Sequence, residues 1–149
     1  MSTGPHRTAR RTDLATEVRV SVLRLSRRLR AEQGAAAALV SEAQFCVLAD
    51  LKNVGPQTPK ELADREQVQP PSMTRTIAGL AEAGLVTRDR STTDRRNIVV
   101  SLTEEGQRVV DETRRRRTAW LAKKLADLAP EEREAMRTAA AIMRRIVEE

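Results

Sequence analysis

Residues 58–102 read TPKELADREQVQPPSMTRTIAGLAEAGLVTRDRSTTDRRNIVVSL. The first half predicts two short helices in tight succession. Thr58 can cap the first, Pro59 suits its first helical position, and Glu61 stands where a capping box places its carboxylate. That helix, over residues 59–66, turns Leu62 and Ala63 inward. The second is predicted over residues 70–83 and opens on Pro70. Its Met73, Ile77 and Leu80 recur at helical spacing and fix one face to a core, so Ser72, Thr74, Arg75 and Ala78 point outward or to the flanks. Gly84 stops this helix, and LVTRD and NIVVSL then read as two short strands around the polar tip RSTTDRR.

Helix, turn, helix and a basic hairpin in this order predict a winged helix-turn-helix. The second helix is narrow enough to enter a DNA major groove, and at 1.5 Å per residue its length is roughly 21 Å. Ser72 and Thr74 can donate or accept at base edges, and Thr74 also offers a methyl group to thymine. Arg75 can meet a guanine as a bidentate donor or a phosphate as a positioning contact. In the hairpin, Arg88 and Arg90 leave the first strand while Asp94, Arg95 and Arg96 occupy the tip or its return. An acid among arginines can accept from a guanidinium and fix its direction. The plain alternative for these residues is a solvated helix face and a solvated hairpin. Gly79 lies inside the second helix, where close packing against a neighbouring helix is its expected reason.

The segments PSMTR, LAEAGLVTR and DRRNIVVSLTEEG together resemble the MarR family of multiple-antibiotic-resistance-type transcriptional regulators. The resemblance covers nearly the whole chain. It implies base reading at the positions of Ser72, Thr74 and Arg75. It also implies an Asp, a variable residue and an Arg in the wing, matched here by Asp94, Arg95 and Arg96, with Arg96 in the minor groove and Arg95 nearer phosphate. Pro71 departs from the small polar residue usual there, which removes a hydroxyl contact to phosphate. Some MarR-like proteins sense peroxide through a cysteine near the start of the first helix, where this chain has none. Its single cysteine, Cys46, lies in a stretch that reads as buried, and a structural thiol is the expectation.

The chain has 149 residues, with 27 Lys and Arg against 21 Asp and Glu, for a formal charge of +6. That excess suits nucleic acid, an acidic partner or mere solubility, so the placement of the arginines has to decide. One Phe, one Trp and no Tyr weaken any reading based on stacking of single-stranded nucleic acid or RNA. His6 is the sole histidine and lies in the N-terminal tail, no cluster has metal-ligand spacing, and no glycine turn forms a phosphate loop. An enzyme is therefore not expected, nor is a cofactor. No apolar run suits a membrane span or signal peptide, which predicts a cytoplasmic protein.

Around the winged module, residues 1–12 read as a flexible basic tail, whose His6, Arg7, Arg10 and Arg11 are solvated or form a phosphate-contacting arm. Residues 13–149 read as a single domain. Leu14, Val18, Val22, Leu25 and Leu29 give an amphipathic helix within residues 13–34, and Ser41 with Gln44 can box the start of the apolar AQFCVLADLK, which Gly55 and Pro56 end. The winged module spans residues 41–102. Thr103 can cap a long helix to about Leu128, whose apolar stripe is interrupted by four arginines from Arg114 to Arg117. Pro130 opens the last helix. The helices of residues 13–34 and 104–149 expose more apolar surface than one winged module covers, which predicts a dimer interface that includes Leu14, Val18, Trp120, Leu121, Leu125, Ile142, Met143 and Ile146.

The expected fold is thus mainly α with a small β wing (α+β). The expected function is that of a homodimeric, sequence-specific regulator of double-stranded DNA. It is read as a repressor on a pseudo-palindromic operator, released by a small aromatic or otherwise apolar effector. In the resembled family such ligands bind between the dimerisation helices and the winged module. The competing readings are a winged-helix module for protein assembly, and a constitutive DNA-binding protein without effector.

Overall fold

Two capping boxes set the frame of the winged part. Gln44 N–H donates to Ser41 Oγ at 3.1 Å while Ser41 N–H donates to Gln44 Oε1 at 2.9 Å. The same reciprocal pair joins Thr58 and Glu61, at 3.2 and 2.8 Å. Each box satisfies two amide groups that a helix start otherwise leaves without partners. In the computed structural model the chain is described over residues 6–35, 37–94 and 96–148, with side chains from Asp13 onward. The elements are α1 (His6–Ala31), a single 3-10 turn (Ala37–Leu39), α2 (Glu42–Val54), α3 (Pro59–Glu66), α4 (Pro70–Glu82), β1 (Val86–Arg90), β2 (Ile98–Leu102), α5 (Glu104–Ala126) and α6 (Pro130–Glu148).

The predicted mainly helical fold with a small wing is the observed one. Helix α1, however, begins at His6 and not at Asp13. Residues 6–12 contain neither glycine nor proline, and arginine and alanine favour helix, so the backbone continues across a stretch whose composition alone suggests a tail. The expected roles of the His6, Arg7, Arg10 and Arg11 side chains, and of Arg95, lie outside the described residues.

The chain forms two compact units. One runs from Gln33 to Arg116; the other combines residues up to Glu32 with those from Arg117. The winged unit is therefore larger than residues 41–102. It takes in the first half of α5, because Val109, Val110 and Thr113 are buried in its core beside Leu48, Leu51, Leu62, Met73, Ile77, Leu80 and Val100. Thr113 keeps its hydroxyl satisfied there by donating to the Val109 carbonyl at 2.7 Å. Cys46 is half-buried, and less enclosed than its apolar neighbourhood predicted.

Strands β1 and β2 pair antiparallel, with Val86 opposite Leu102 and Arg90 opposite Ile98. Gln57 extends this ladder by one bridge, since its N–H and C=O exchange hydrogen bonds with Val100 at 3.1 and 2.8 Å. The base of the wing is thereby tied to the residue that precedes the cap of α3. Between α4 and β1 the chain turns through Gly84 at φ 75°, a left-handed conformation that favours glycine. Gly79 has the packing reason expected of it, as a Cβ there would meet the Gln44 amide nitrogen of α2 at 2.7 Å.

At the end of α3, Arg65 lies 4.0 Å from Asp50 of α2, and Glu66 follows. Burial, and then the Asp50 carboxylate, push the Glu66 pKa up. Glu66 therefore adds stability under acidic conditions that is lost as pH rises through its folded-state pKa.

The helical unit contrasts with the winged one. Arg28 of α1 lies over the ring of half-buried Trp120 at 4.6 Å from its centroid, a cation–π contact within this unit. Among the described residues, no side chain of this unit is buried. Leu14, Val18, Met136, Ile142, Met143, Ile146 and Val147 are exposed, while Leu121 and Leu125 are half-buried. No helix among the described residues is long and apolar enough to cross a membrane.

Candidate nucleic-acid interface

Helix α4 buries Met73, Ile77 and Leu80 and leaves Pro71, Thr74 and Arg75 exposed, with Ser72 half-buried at the edge. The start of this helix carries no side-chain cap. Pro70 and Pro71 have no N–H to offer, and the next two, of Ser72 and Met73, both donate to the Gln69 carbonyl at 3.0 and 3.2 Å. A helix N-terminus ordinarily attracts phosphate through free amides. Here those donors are absent or engaged, so anion affinity at α4 falls to side-chain cations.

Thr74 serves a narrower purpose than its residue type suggested. Its hydroxyl donates to the Pro70 carbonyl at 3.0 Å, which leaves the methyl group and an acceptor lone pair for a base edge. The Thr76 hydroxyl is engaged in the same way with Ser72, also at 3.0 Å. Arg75 is exposed and, among the described residues, makes no ion pair.

In the wing, Arg88 and Arg90 alternate with Thr87 and Asp89, so the two arginines share one face of β1. Both are exposed, as is Arg96 beyond the tip. Asp94 holds no guanidinium among the described residues, which do not include the Arg95 side chain. Among the described residues its carboxylate accepts the Arg96 backbone N–H at 3.0 Å and the Asn97 side-chain amide at 3.1 Å. The physical reason is reach, since a one-carbon stem brings the carboxylate back onto its own turn before it meets a long side chain. Asp94 thus shapes the tip, while Arg96 keeps its guanidinium free for a ligand.

Between the first turn of α3 and the return of the wing lies a cleft of about 680 Å³, lined by Lys60, Glu61, Asp64, Arg96, Asn97 and Ile98 among others. It brings Lys60 and Arg96 to one groove. Residue types alone did not single out Gln57, Lys60 and Asn97. The pairing of Gln57 with Val100 is non-local and leaves no local signal; the Asp94 to Asn97 spacing, by contrast, is that of a polar turn and was readable as one.

The winged unit as a whole presents one helix sized for a major groove, an arginine on its outer face, and an arm carrying further arginines. This arrangement suits duplex DNA. Comparison with known proteins agrees. The model of the MarR family matches residues 40–98. The HTH-type transcriptional regulator MT0903.1 of Mycobacterium tuberculosis is 44% identical over 91% of this chain and 94% of its own length. The HTH-type transcriptional repressor MdtR of Bacillus subtilis is 39% identical over 62% of this chain and 60% of its own. Among solved structures, RV1404 from Mycobacterium tuberculosis superposes with a TM-score of 0.81 at 28% identity, covering 93% of this chain and 95% of that one.

Proposed function

The chain belongs to the MarR family of helix-turn-helix transcriptional regulators, and on that footing we propose that it acts in the cytoplasm as a homodimeric repressor of a pseudo-palindromic operator, relieved by a small apolar effector. The observation that carries the DNA-contact assignment is the set of exposed cations on a single compact unit: Arg75 on α4, with Arg88, Arg90 and Arg96 on the wing. Proteins of this family are transcriptional regulators and not enzymes. A winged-helix module for protein assembly would need an apolar or acidic outer face on α4, whereas this face carries Pro71, Thr74 and Arg75. The lack of buried side chains among the described residues of the helical unit supports the dimer, because helices with so much exposed apolar surface gain most from a second copy.

In this reading Arg75 and Thr74 face bases, Ser72 flanks them, Arg88, Arg90 and Arg95 meet phosphates, and Arg96 enters the minor groove with its backbone fixed by Asp94. Two reading helices about 34 Å apart engage half-sites centred roughly ten base pairs from each other. Selection of bound duplexes from a random pool, followed by footprinting, tests this directly. Replacing Arg75 with Ala should cost about 1–3 kcal/mol and relax preference at one position of each half-site. Replacing Arg96 with Ala should weaken binding more uniformly and lower the salt slope by about 1 for each phosphate that the guanidinium neutralises. Wild-type affinity in both variants at two salt concentrations would remove this face from the interface.

Effector control is supported by an apolar recess of about 160 Å³ within the winged unit, lined by Leu39, Val40, Ala83, Leu85, Glu105 and Val109. Its volume suits a single aromatic ring. A ligand that prefers the DNA-incompetent arrangement about a hundredfold contributes a coupling of about 2.7 kcal/mol, enough to empty a moderately tight operator. Calorimetric titration of aromatic acids into the protein, with and without operator, measures this coupling. Equal affinities in the two titrations across a broad library would leave a constitutive DNA-binding protein.

A further inference from the structure

The tip of the wing is exposed to solvent, yet its own hydrogen bonds close it. Ser91 N–H donates to the Asn97 carbonyl at 2.8 Å and Asn97 N–H to the Asp94 carbonyl at 3.0 Å. The N–H groups of Thr93 and Asp94 both donate to Ser91 Oγ at 3.3 Å. On the other side of the turn the two oxygens of Asp94 are divided: Oδ1 accepts from Arg96 N–H at 3.0 Å, and Oδ2 accepts from Asn97 Nδ2 at 3.1 Å. Asn97 enters this network three times, through its carbonyl, its N–H and its side-chain amide. It also stands one residue before β2, whose Val100 is bonded to Gln57. The wing is therefore held at its base by Gln57 and at its tip by Asn97.

We propose that Asn97 is a positioning residue for DNA binding, which orients the Asp94 carboxylate and through it fixes the backbone of Arg96 before the operator is met. The inference rests on the assignment of Arg96 as a DNA contact made above. A carboxylate gripped at one oxygen alone can rotate about its own side chain; gripped at both, it holds the Arg96 N–H in one direction. Ordering Arg96 in the free protein removes from the binding step the entropy that would otherwise be lost there. The amide is suited to the task because it supplies a neutral donor. An alanine takes the donor away from Asp94 Oδ2, so the carboxylate can rotate and the turn that holds the Arg96 N–H loosens.

The test is a double-mutant cycle measured on a labelled duplex selected by the wild-type protein from a random pool. Asn97→Ala should weaken binding about threefold to tenfold, the range expected for one side chain that has to be ordered on binding. In the Arg96→Ala background the same change should have little further effect, whereas in the Arg75→Ala background it should keep its full factor. The thermal midpoint of the free protein should stay at the wild-type value, and backbone relaxation should report greater mobility at the Arg96 amide. An unchanged affinity for Asn97→Ala, an equal loss with and without Arg96, or an unchanged Arg96 amide would each overturn the proposal. If Arg96→Ala binds like the wild type, the assignment of Arg96 itself falls and takes the proposal with it. If Arg96→Ala weakens binding and Asn97→Ala does not, the positioning role alone is lost.

Discussion

A variant carrying both Ile142→Asp and Ile146→Asp should sediment as a monomer at micromolar concentration and lose operator binding, while its winged unit stays folded. Helix α6 has no buried residue, and these two side chains are 41% and 66% exposed. With Met143 and Val147, also exposed, they form an apolar strip with no partner among the described residues. Full burial of an isoleucine contributes about 1.5–3 kcal/mol, so hiding the fractions still exposed at the four positions replaced in a dimer contributes about 3–6 kcal/mol, or roughly 10²–10⁴-fold in association. The introduced carboxylates add the cost of burying like charges against each other. The core of the winged unit, from Ala37 to Val110, contains neither position. DNA affinity should fall by roughly 10²–10⁴, because the second half-site no longer benefits from the tether to the first. Sedimentation and a mobility assay on the selected duplex decide the matter. A variant that remains dimeric would move the interface elsewhere, and a monomer that protects both half-sites with wild-type affinity would end the dimeric model of binding.

Much of the winged unit was legible because its signals are local. Thr58, Pro59 and Glu61 define the start of α3 through chemistry contained in four consecutive residues, and the hydrogen bonds observed there are the ones such a box requires. The helical spacing of Met73, Ile77 and Leu80 is likewise a property of one stretch, and all three are buried. Legibility failed where the deciding partner is distant or where residue type leaves direction open. The bridge from Gln57 to Val100 joins segments on either side of α3, α4 and β1, so nothing near Gln57 announces it. For Asp94 the neighbouring arginines suggested a guanidinium partner, whereas the shorter path returned its carboxylate to the turn. The start of α1 is hidden for another reason: a run of arginines reads equally as a solvated tail and as a helix of good formers, and no glycine or proline within residues 6–12 separates the two before Asp13. The DNA-contact residues stand apart from both cases. Exposure and free guanidinium groups agree with the roles given to Arg75, Arg88, Arg90 and Arg96, and binding measurements have to rank them.

Gly106→Ala should lower stability by about 2 kcal/mol or more, although glycine to alanine within a helix ordinarily gains about 1 kcal/mol. Gly106 lies in the first turn of α5 and is buried against the segment that leads into β1. An added Cβ would stand 2.2 Å from the Leu85 carbonyl oxygen and 2.8 Å from Leu102 Cδ1. That carbonyl has little freedom to retreat. It accepts from Thr103 N–H at 3.1 Å, while Leu85 N–H donates to the Leu80 carbonyl at 2.9 Å. Thr103 also donates its hydroxyl to the Gly84 carbonyl at 2.7 Å and accepts Gly106 N–H at 3.1 Å. One methyl group therefore presses on a knot that joins the end of α4, the start of β1 and the cap of α5. Relieving it means giving up the Thr103 cap or shifting the base of the wing, and either disturbs the DNA-reading unit before the helical one. Thermal unfolding should show a midpoint lowered by about 5–10 °C, with DNA affinity reduced and dimerisation retained. Gly79→Ala is the matched comparison, because its Cβ would meet only the end of the Gln44 side chain, which can move away at the cost of its hydrogen bond to Ser41 N–H, so its midpoint should fall less than that of Gly106→Ala. Equal midpoints for the two variants would show that the Leu85 segment yields to the added methyl, and that the junction between wing and α5 is softer than its hydrogen bonds imply.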